Sequence, residues 1–369
     1  MNPAACYIHI PFCRSKCPYC DFYSLRSDAA SMRVYADFLA RRLRDAAGFG
    51  KRWASLYFGG GTPSALPPDA LKNLLSAAAT GLKDTACEYT FECNPGDVTP
   101  ALAALLAAHG INRVSLGLQS AAEAERRALG RRSGAVQCDA AIRRLQAAGI
   151  SNLSLDVMLG IPLQTPGSLE QTLRFCAEAG AAHISAYLLK TEEGTRFAVR
   201  PPPGLPDEDA QAELYVTACG WLQEHGYAQY EIANFAKAGF ASRHNLVYWN
   251  AEPYDAFGPG AHGFLEGRRW HFPRDLDAYL RGAAPVADGG GGDFAEYAML
   301  RLRLVDGLRE DLTRKRFGHG IPAEMRLAAA PLQARALLCA DAAGIRLNRK
   351  GFLLSNTITA ALLENIDSR

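Results

Sequence analysis

The chain predicts an α/β fold: a partial (β/α)6 barrel followed by a smaller α+β domain with a winged-helix-like end. Three observations carry this expectation. Six short apolar, strand-like runs alternate with helix-length segments from residue 5 to residue 225. Four of those helical segments stop on glycine, at His109-Gly110-Ile111, Ala148-Gly149-Ile150, Ala179-Gly180-Ala181 and His225-Gly226-Tyr227, where glycine takes the left-handed C-cap and the next residues open a strand. Beyond residue 293 the pattern changes to helical spacing followed by a short hairpin. An open doubly wound sheet is the alternative architecture, and both arrangements place ligands at the C-terminal ends of the strands.

In order, strands are expected over 5–10, 54–58, 88–92, 114–118, 153–158 and 183–187, with helices over 31–47, 68–79, 100–109, 135–148, 168–179 and 208–225. The run Arg200-Pro201-Pro202-Pro203-Gly204-Leu205-Pro206 reads as a stiff connector and Gly289 to Gly292 as a flexible one. Helical spacing resumes at 297–304, 309–318 and 331–343. A hairpin over 345–354 is expected to turn at Asn348-Arg349-Lys350-Gly351.

With 40 basic and 38 acidic residues the formal charge is +2, so the overall balance gives no reason to expect nucleic acid as a partner. The hydrophobic content of 49% is ample for packed cores, and no window approaches the roughly twenty apolar residues that span a bilayer. The start Met1-Asn2-Pro3-Ala4-Ala5-Cys6 lacks a charged region followed by an apolar stretch. A cytoplasmic location is expected, with peripheral attachment to a membrane left open.

The spacing Cys13-x-x-x-Cys17-x-x-Cys20 stands out among ten cysteines. Three thiolates this close converge on one site only if the loop wraps around it, and three protein ligands leave one iron of a four-iron, four-sulfur cluster open. Structural zinc normally takes four ligands, commonly as two separated pairs, and no second pair follows, although His9 is an available donor. A disulfide framework suits small secreted domains rather than a chain of this size. The remaining cysteines, at 6, 87, 93, 138, 176, 219 and 339, read as ordinary buried thiols.

The loop follows a short apolar strand and carries an aromatic, Tyr19, just before its third cysteine. In this it resembles the radical S-adenosylmethionine (SAM) superfamily. The flanking sequence resembles, over nearly the whole chain, the HemW-type haem chaperones, relatives of the oxygen-independent coproporphyrinogen III dehydrogenases (HemN). The resemblance implies a [4Fe-4S] cluster on Cys13, Cys17 and Cys20, exchangeable SAM, haem, and haem-accepting apoproteins as partners, with a low-potential electron donor a further one. It also implies three regions: a radical SAM partial barrel over 1–232, a haem-motif connecting region over 233–292 and a HemN-like C-terminal domain over 293–369.

Gly59-Gly60-Gly61-Thr62-Pro63 directly follows the strand Leu56-Tyr57-Phe58, where glycines let a ligand approach bare backbone. The motif matches the superfamily's SAM-binding glycines. Glu92, Gln119 and Asp156 lie on or end later strands, and their polar side chains can accept hydrogen bonds from ribose hydroxyls or face an ammonium. Arg131 can pair with a carboxylate, and Tyr7 lies on the first strand. The resemblance implies that Tyr7, Gly60, Gly61, Thr62, Glu92, Gln119, Arg131 and Asp156 line SAM sites. Taken singly, each is equally compatible with structural hydrogen bonding. Gln119, Arg131, Asp156 and Tyr19 match positions that serve a second SAM in the dehydrogenase relatives.

Arg243-His244-Asn245-Leu246-Val247-Tyr248-Trp249 resembles the chaperones' haem motif, which makes His244 the first haem candidate and His262, in Gly260-Ala261-His262-Gly263, the second. Gly258-Pro259-Gly260-Ala261-His262-Gly263 also satisfies G-x-G-x-x-G, but without the strand–turn–helix setting of a dinucleotide site it reads as a tight loop holding His262 near cofactor or haem. Two features favour a chaperone over a dehydrogenase. Phe22 stands where the dehydrogenases carry a further cysteine, and only twelve residues precede Cys13, whereas those enzymes have an N-terminal extension. A redox iron-sulfur protein without SAM is disfavoured by the Gly59 to Pro63 motif.

Overall fold

The computed structural model describes residues 3–364 and 366. Six parallel strands, β1 (Ala5–Ile10), β2 (Ser55–Gly60), β3 (Glu88–Cys93), β4 (Arg113–Gln119), β5 (Asn152–Leu159) and β6 (His183–Leu188), lie side by side in chain order. Between and after them run α1 (Ala29–Gly48), α2 (Pro68–Ala79), α3 (Pro100–Ala108), α4 (Glu123–Ala128), α5 (Ala135–Ala147), α6 (Pro166–Glu178), α7 (Arg196–Val199) and α8 (Glu208–Glu224). This is the expected partial barrel. Helix starts are chemically marked: Asp28, Thr99, Thr165 and Asp207 each accept a hydrogen bond from a first-turn amide, and proline opens α2, α3 and α6. The four C-cap glycines have φ of 81°, 92°, 82° and 82° at Gly110, Gly149, Gly180 and Gly226, a region that costs a side chain strain.

The strand period of two separates packing from chemistry. Even-numbered residues of β1, β4 and β6, with Leu56, Phe58, Tyr89, Phe91, Cys93, Leu153, Leu155, Val157 and Leu159, join the apolar core beneath the helices. Their neighbours in sequence, among them Tyr7, Tyr57, Glu92, Ser115 and Asp156, point into the barrel. A one-residue register slip would bury carboxylates against helices, so the register is strongly specified.

The sheet extends further than the sequence pattern suggests. On one side β8 (Asn234–Ala236) pairs antiparallel with β6, and β7 (Ala228–Gln229) pairs with β8. On the other side α9 (Arg243–Trp249) leads to β9 (Tyr254–Phe257), which runs parallel to β1. The antiparallel strands β10 (His262–Leu265), β11 (Arg268–His271) and, after α10 (Leu276–Leu280), β12 (Val286–Gly290) complete twelve. Gly289 and Gly290, expected in a flexible connector, are therefore strand, because the backbone of β11 supplies partners that a local reading cannot see.

The last region contains α11 (Phe294–Arg301), β13 (Leu308–Arg309), α12 (Glu310–Phe317), α13 (Ala323–Ala334), β14 (Leu338–Asp341), β15 (Gly344–Leu347), α14 (Arg349–Leu353) and α15 (Ser355–Leu363). Its three-stranded sheet has the order β13-β15-β14, in keeping with a small α+β, wing-bearing end. The hairpin lies earlier than expected. Asp341 Oδ1 accepts from the amides of Ala343 and Gly344 and makes the turn, whereas Asn348 caps α14 by accepting from Gly351. The helix expected over 331–343 accordingly ends at Ala334.

Trp53 is fully buried, stacking edge-on to Phe257 of β9 and covering Gly81 at the end of α2, where an added Cβ would fall 2.0 Å from the indole. Trp53→Ala should destabilise the fold by about 3–5 kcal/mol, measured by denaturant unfolding, through loss of its buried area and the cavity left behind.

Candidate cofactor site

The cysteine loop is pinned at its base and held against the glycine turn. Leu25 N donates to Pro11 O at 2.7 Å and Cys13 N to Leu25 O at 3.0 Å, closing the loop. Gly61 N donates to Ile10 O at 2.9 Å and Thr62 N to Phe12 O at 2.7 Å. A Cβ on Gly61 would lie 2.7 Å from the Phe12 carbonyl, and one on Gly60, whose φ is +112°, would strike the His9 ring at 2.6 Å. These glycines are thus needed first for chain-to-chain packing, which in turn fixes the cysteines over the strand ends.

A cavity of about 370 Å³ opens there, lined by Cys13, Cys17, Cys20, Tyr19, Gly60, Gly61, Thr62, Glu92, Gln119, Arg131 and Asp156. The structure therefore gathers every sequence-predicted cluster residue and all the predicted SAM residues but Tyr7. Tyr7 lies in a second cavity of about 250 Å³, with Tyr57, His244, Asn245 and Tyr248, which shares Phe22, Gly60 and Glu92 with the first. Phe22, 62% exposed, sits at the junction of the two. His262 lines neither; it stands at the outer strands beside His271 and Asp288, which corrects the expectation that its loop holds it at the cofactor. The rejection of a dinucleotide motif is supported, since the loop after β9 leads into a strand rather than a helix. Of the other cysteines, six are buried, and Cys339 is exposed on the edge strand β14 of the small sheet, against expectation.

Three observations test the fit of an iron-sulfur cluster and SAM. Cys13, Cys17 and Cys20 are free, half-buried thiols that all line the one cavity, as a cluster that gives each cysteine its own iron requires. Burial pushes the Cys20 thiol up, and the adjacent Cys17 and Cys13 push it further through like-charge repulsion that a cation among the three sulfurs would relieve. Two buried polar atoms on the cavity wall, Asn94 Oδ1 and Ser24 Oγ, have no partner, as expected of groups aimed at a polar ligand. The residues fit both groups.

Glu92 accepts a hydrogen bond from Tyr57 Oη at 2.7 Å, yet burial pushes its carboxyl up to about 7. Asp156 accepts from Ser115 Oγ at 2.9 Å and is pushed by burial up to about 6. Tyr187 donates to Gln119 Oε1 at 2.9 Å, fixing that side chain at a residue whose φ is 68°. Arg131 donates to the carbonyl of Gly117 and faces Cys17 Sγ at 3.7 Å, so it spans strand end and cluster loop. Sequence reasoning missed Asn94, Ser24, Tyr187 and the ion pair of Arg14 with Asp97 at 3.2 Å. Tyr187 was within reach of the strand-end rule; Asp97 has no local signal.

His244 is held from below. Glu88 accepts from the amides of Arg243 and His244 at 2.9 and 3.0 Å and from Ser242 Oγ at 3.2 Å, capping α9 with a carboxylate from β3. The buried imidazole meets Ser55 Oγ at 2.9 Å through Nδ1 and Tyr248 Oη at 2.7 Å through Nε2. Burial, then Arg113, pushes its pKa down to about 3, which keeps the ring neutral.

Residues 7–176 match the Radical SAM superfamily, and residues 294–354 match the HemN C-terminal domain. The heme chaperone HemW of Lactococcus lactis is 32% identical over 368 residues, covering 97% of this chain and 96% of its own. That of Bacillus subtilis is 31% identical over 375 residues, covering 97% and 98%. The chain belongs to the HemW family of radical SAM proteins. Membership in this superfamily implies a [4Fe-4S] cluster and SAM. The coproporphyrinogen III oxidase HemN of Escherichia coli has the same fold as this HemW-family chain, with a TM-score of 0.84 at 20% identity, over 98% of this chain and 90% of its own.

Two outcomes follow from the buried carboxylates. Because Glu92 and Asp156 have folded-state pKa values raised above those of the unfolded chain, their protonated forms favour folding below about pH 4, and that contribution is lost as pH rises through about 6 to 7. Thermal melts of the ligand-free protein should fall between pH 5 and pH 8, and Glu92→Gln should flatten this dependence. Glu88→Ala leaves two amides at the start of α9 without their acceptor and should cost about 1–3 kcal/mol in chemical unfolding, with Glu88→Gln intermediate.

Proposed function

We propose that this protein is a haem chaperone that binds haem and passes it to acceptor apoproteins, with a cluster and SAM in the larger cavity. The observation that carries the reading is the adjacency of two cavities sharing Gly60, Glu92 and Phe22: a polar one under the cysteines and an aromatic one into which His244 faces. The reading is supported by relatives called heme chaperones that match along their full length.

In this proposal Cys13, Cys17 and Cys20 hold the cluster, Gly60, Gly61 and Thr62 present backbone to SAM, and Glu92 faces its ammonium or ribose. Gln119, Arg131, Asp156 and Tyr19 complete the far wall. When bound and reduced, the cluster supplies an electron to the SAM sulfonium. A low-potential donor would deliver that electron. Ser55 orients the His244 ring through Nδ1, leaving Nε2 toward the aromatic cavity, where a neutral imidazole can ligate haem iron once the Tyr248 hydroxyl turns away. Tyr7, Tyr57 and Tyr248 offer faces to a porphyrin edge. His262 is the second candidate, carried by the family resemblance alone, since it lines neither cavity. The three-part division at 232 and 292 and a cytoplasmic location, with or without peripheral membrane contact, belong to the same proposal; among the described residues no helix is long and apolar enough to cross a membrane.

The alternative, coproporphyrinogen III dehydrogenation, is favoured by the shared fold alone. The deciding experiment gives the anaerobically reconstituted protein haem in one arm, and SAM, a low-potential reductant and coproporphyrinogen III in the other. Stoichiometric haem binding, transfer to an apoprotein and no protoporphyrinogen IX are expected. His244→Ala should weaken haem binding by at least about tenfold and alter the Soret band. Multiple-turnover, cluster-dependent protoporphyrinogen IX formation would overturn the chaperone reading.

A further inference from the structure

We propose that His262, His271 and Asp288 form a binding site for a divalent d-block cation of the zinc type, separate from the cluster, with one ligand from each of the three outermost strands on the β12 side of the large sheet. One candidate donor atom of each residue lies within 4.8 Å of the other two. His262 on β10 and His271 on β11 are directly opposed in the antiparallel register, and their rings stack with centroids 5.2 Å apart at 27°. Asp288 on β12 reaches both. Its Oδ1 is 2.6 Å from His271 Nδ1, and its Oδ2 is 3.6 Å from His262 Nδ1.

The backbone explains how the carboxylate arrives there. Pairing of β11 with β12 passes from Arg269 opposite Gly289 to Trp270 opposite Ala287, so Asp288 is the additional residue of a β-bulge. Bulges re-aim side chains and recur beside functional sites. A simple hydrogen-bonded pair would need only His271 and Asp288. The second imidazole, stacked on the first and turned toward the other carboxylate oxygen, is what a bridging cation requires.

Two imidazole nitrogens and one carboxylate are a donor set for zinc and its neighbours, and three protein ligands leave a position for water. His262 has 62% of its side chain exposed, so a cation can enter from solvent. Every residue of β12 is exposed, so little apolar packing holds this edge, and a cation would tie it to β10 and β11. The site shares no residue with either cavity.

The test uses the full chain with its cluster reconstituted, dialysed anaerobically against low-micromolar zinc, with zinc and iron measured in the same sample. One zinc per chain is expected above the level of the His262→Ala/His271→Ala variant, at equal iron content. Asp288→Asn, which keeps the side-chain shape and a hydrogen-bonding oxygen, should weaken zinc binding by at least about tenfold. Zinc should also raise the melting temperature of the parent but not of Asp288→Asn. Equal zinc in parent and double variant, or none in the parent with its cluster intact, would overturn the site. Zinc that displaces iron and survives in the double variant sits on the cysteines and would overturn it too. Haem binding measured alongside keeps this outcome apart from that of the chaperone reading, which rests on His244.

Discussion

Two short stretches of backbone in contact, Ile10 to Phe12 and Gly60 to Thr62, carry the rest of the site. The amides of Gly61 and Thr62 donate to Ile10 and Phe12, and the approach is too close for a side chain at Gly61. That contact joins the end of β1 to the end of β2. It seats the cysteine loop above the strands, and it places the glycine turn on the wall of the cavity. With β1 and β2 fixed, the parallel register of β3 to β6 brings Glu92, Gln119 and Asp156 to the same rim. The cofactor chemistry therefore rests on ordinary backbone hydrogen bonds between neighbouring strand ends.

The barrel interior follows a different rule from its outside. Outside, apolar side chains pack beneath helices; inside, Ser55, Glu88, Thr90, Arg113, Ser154 and His183 are buried polar groups. Burying such groups is unfavourable unless each finds a partner. Many do: Glu88 caps α9, Ser55 meets His244, and Ser154 meets His183. The partners of Glu88 and Ser55 come from the start of α9, the helix that carries His244. Interior polarity is thus the means by which a segment far along the chain is seated against the first strands. Among the described residues Thr90 Oγ1 and Arg113 Nε find no partner, and burial raises the pKa values of Glu92 and Asp156 on the wall of the cofactor cavity.

The sequence by itself determined whatever depends on neighbours along the chain. Period-two apolar runs, proline at helix starts and glycine at helix ends are local, so the six central strands and the six longer helices that follow them were legible to within a residue or two, while the short α4 and α7 were not. The cysteine loop was legible because its three cysteines lie within eight residues, and the glycine turn because it directly follows a strand. Tertiary structure decided what depends on residues far apart. Gly289 and Gly290 are strand only because β11 lies beside them, and Asn348 is a helix cap rather than a turn because Asp341 has already turned the chain. Asn94 and Ser24 show themselves only as buried atoms without partners. His262, His271 and Asp288 belong to three strands and meet only through cross-strand register and a bulge. Hydrogen bonding and backbone conformation within a segment are encoded locally; the convergence of side chains from separate strands is set by pairing between segments, which no short stretch of sequence contains.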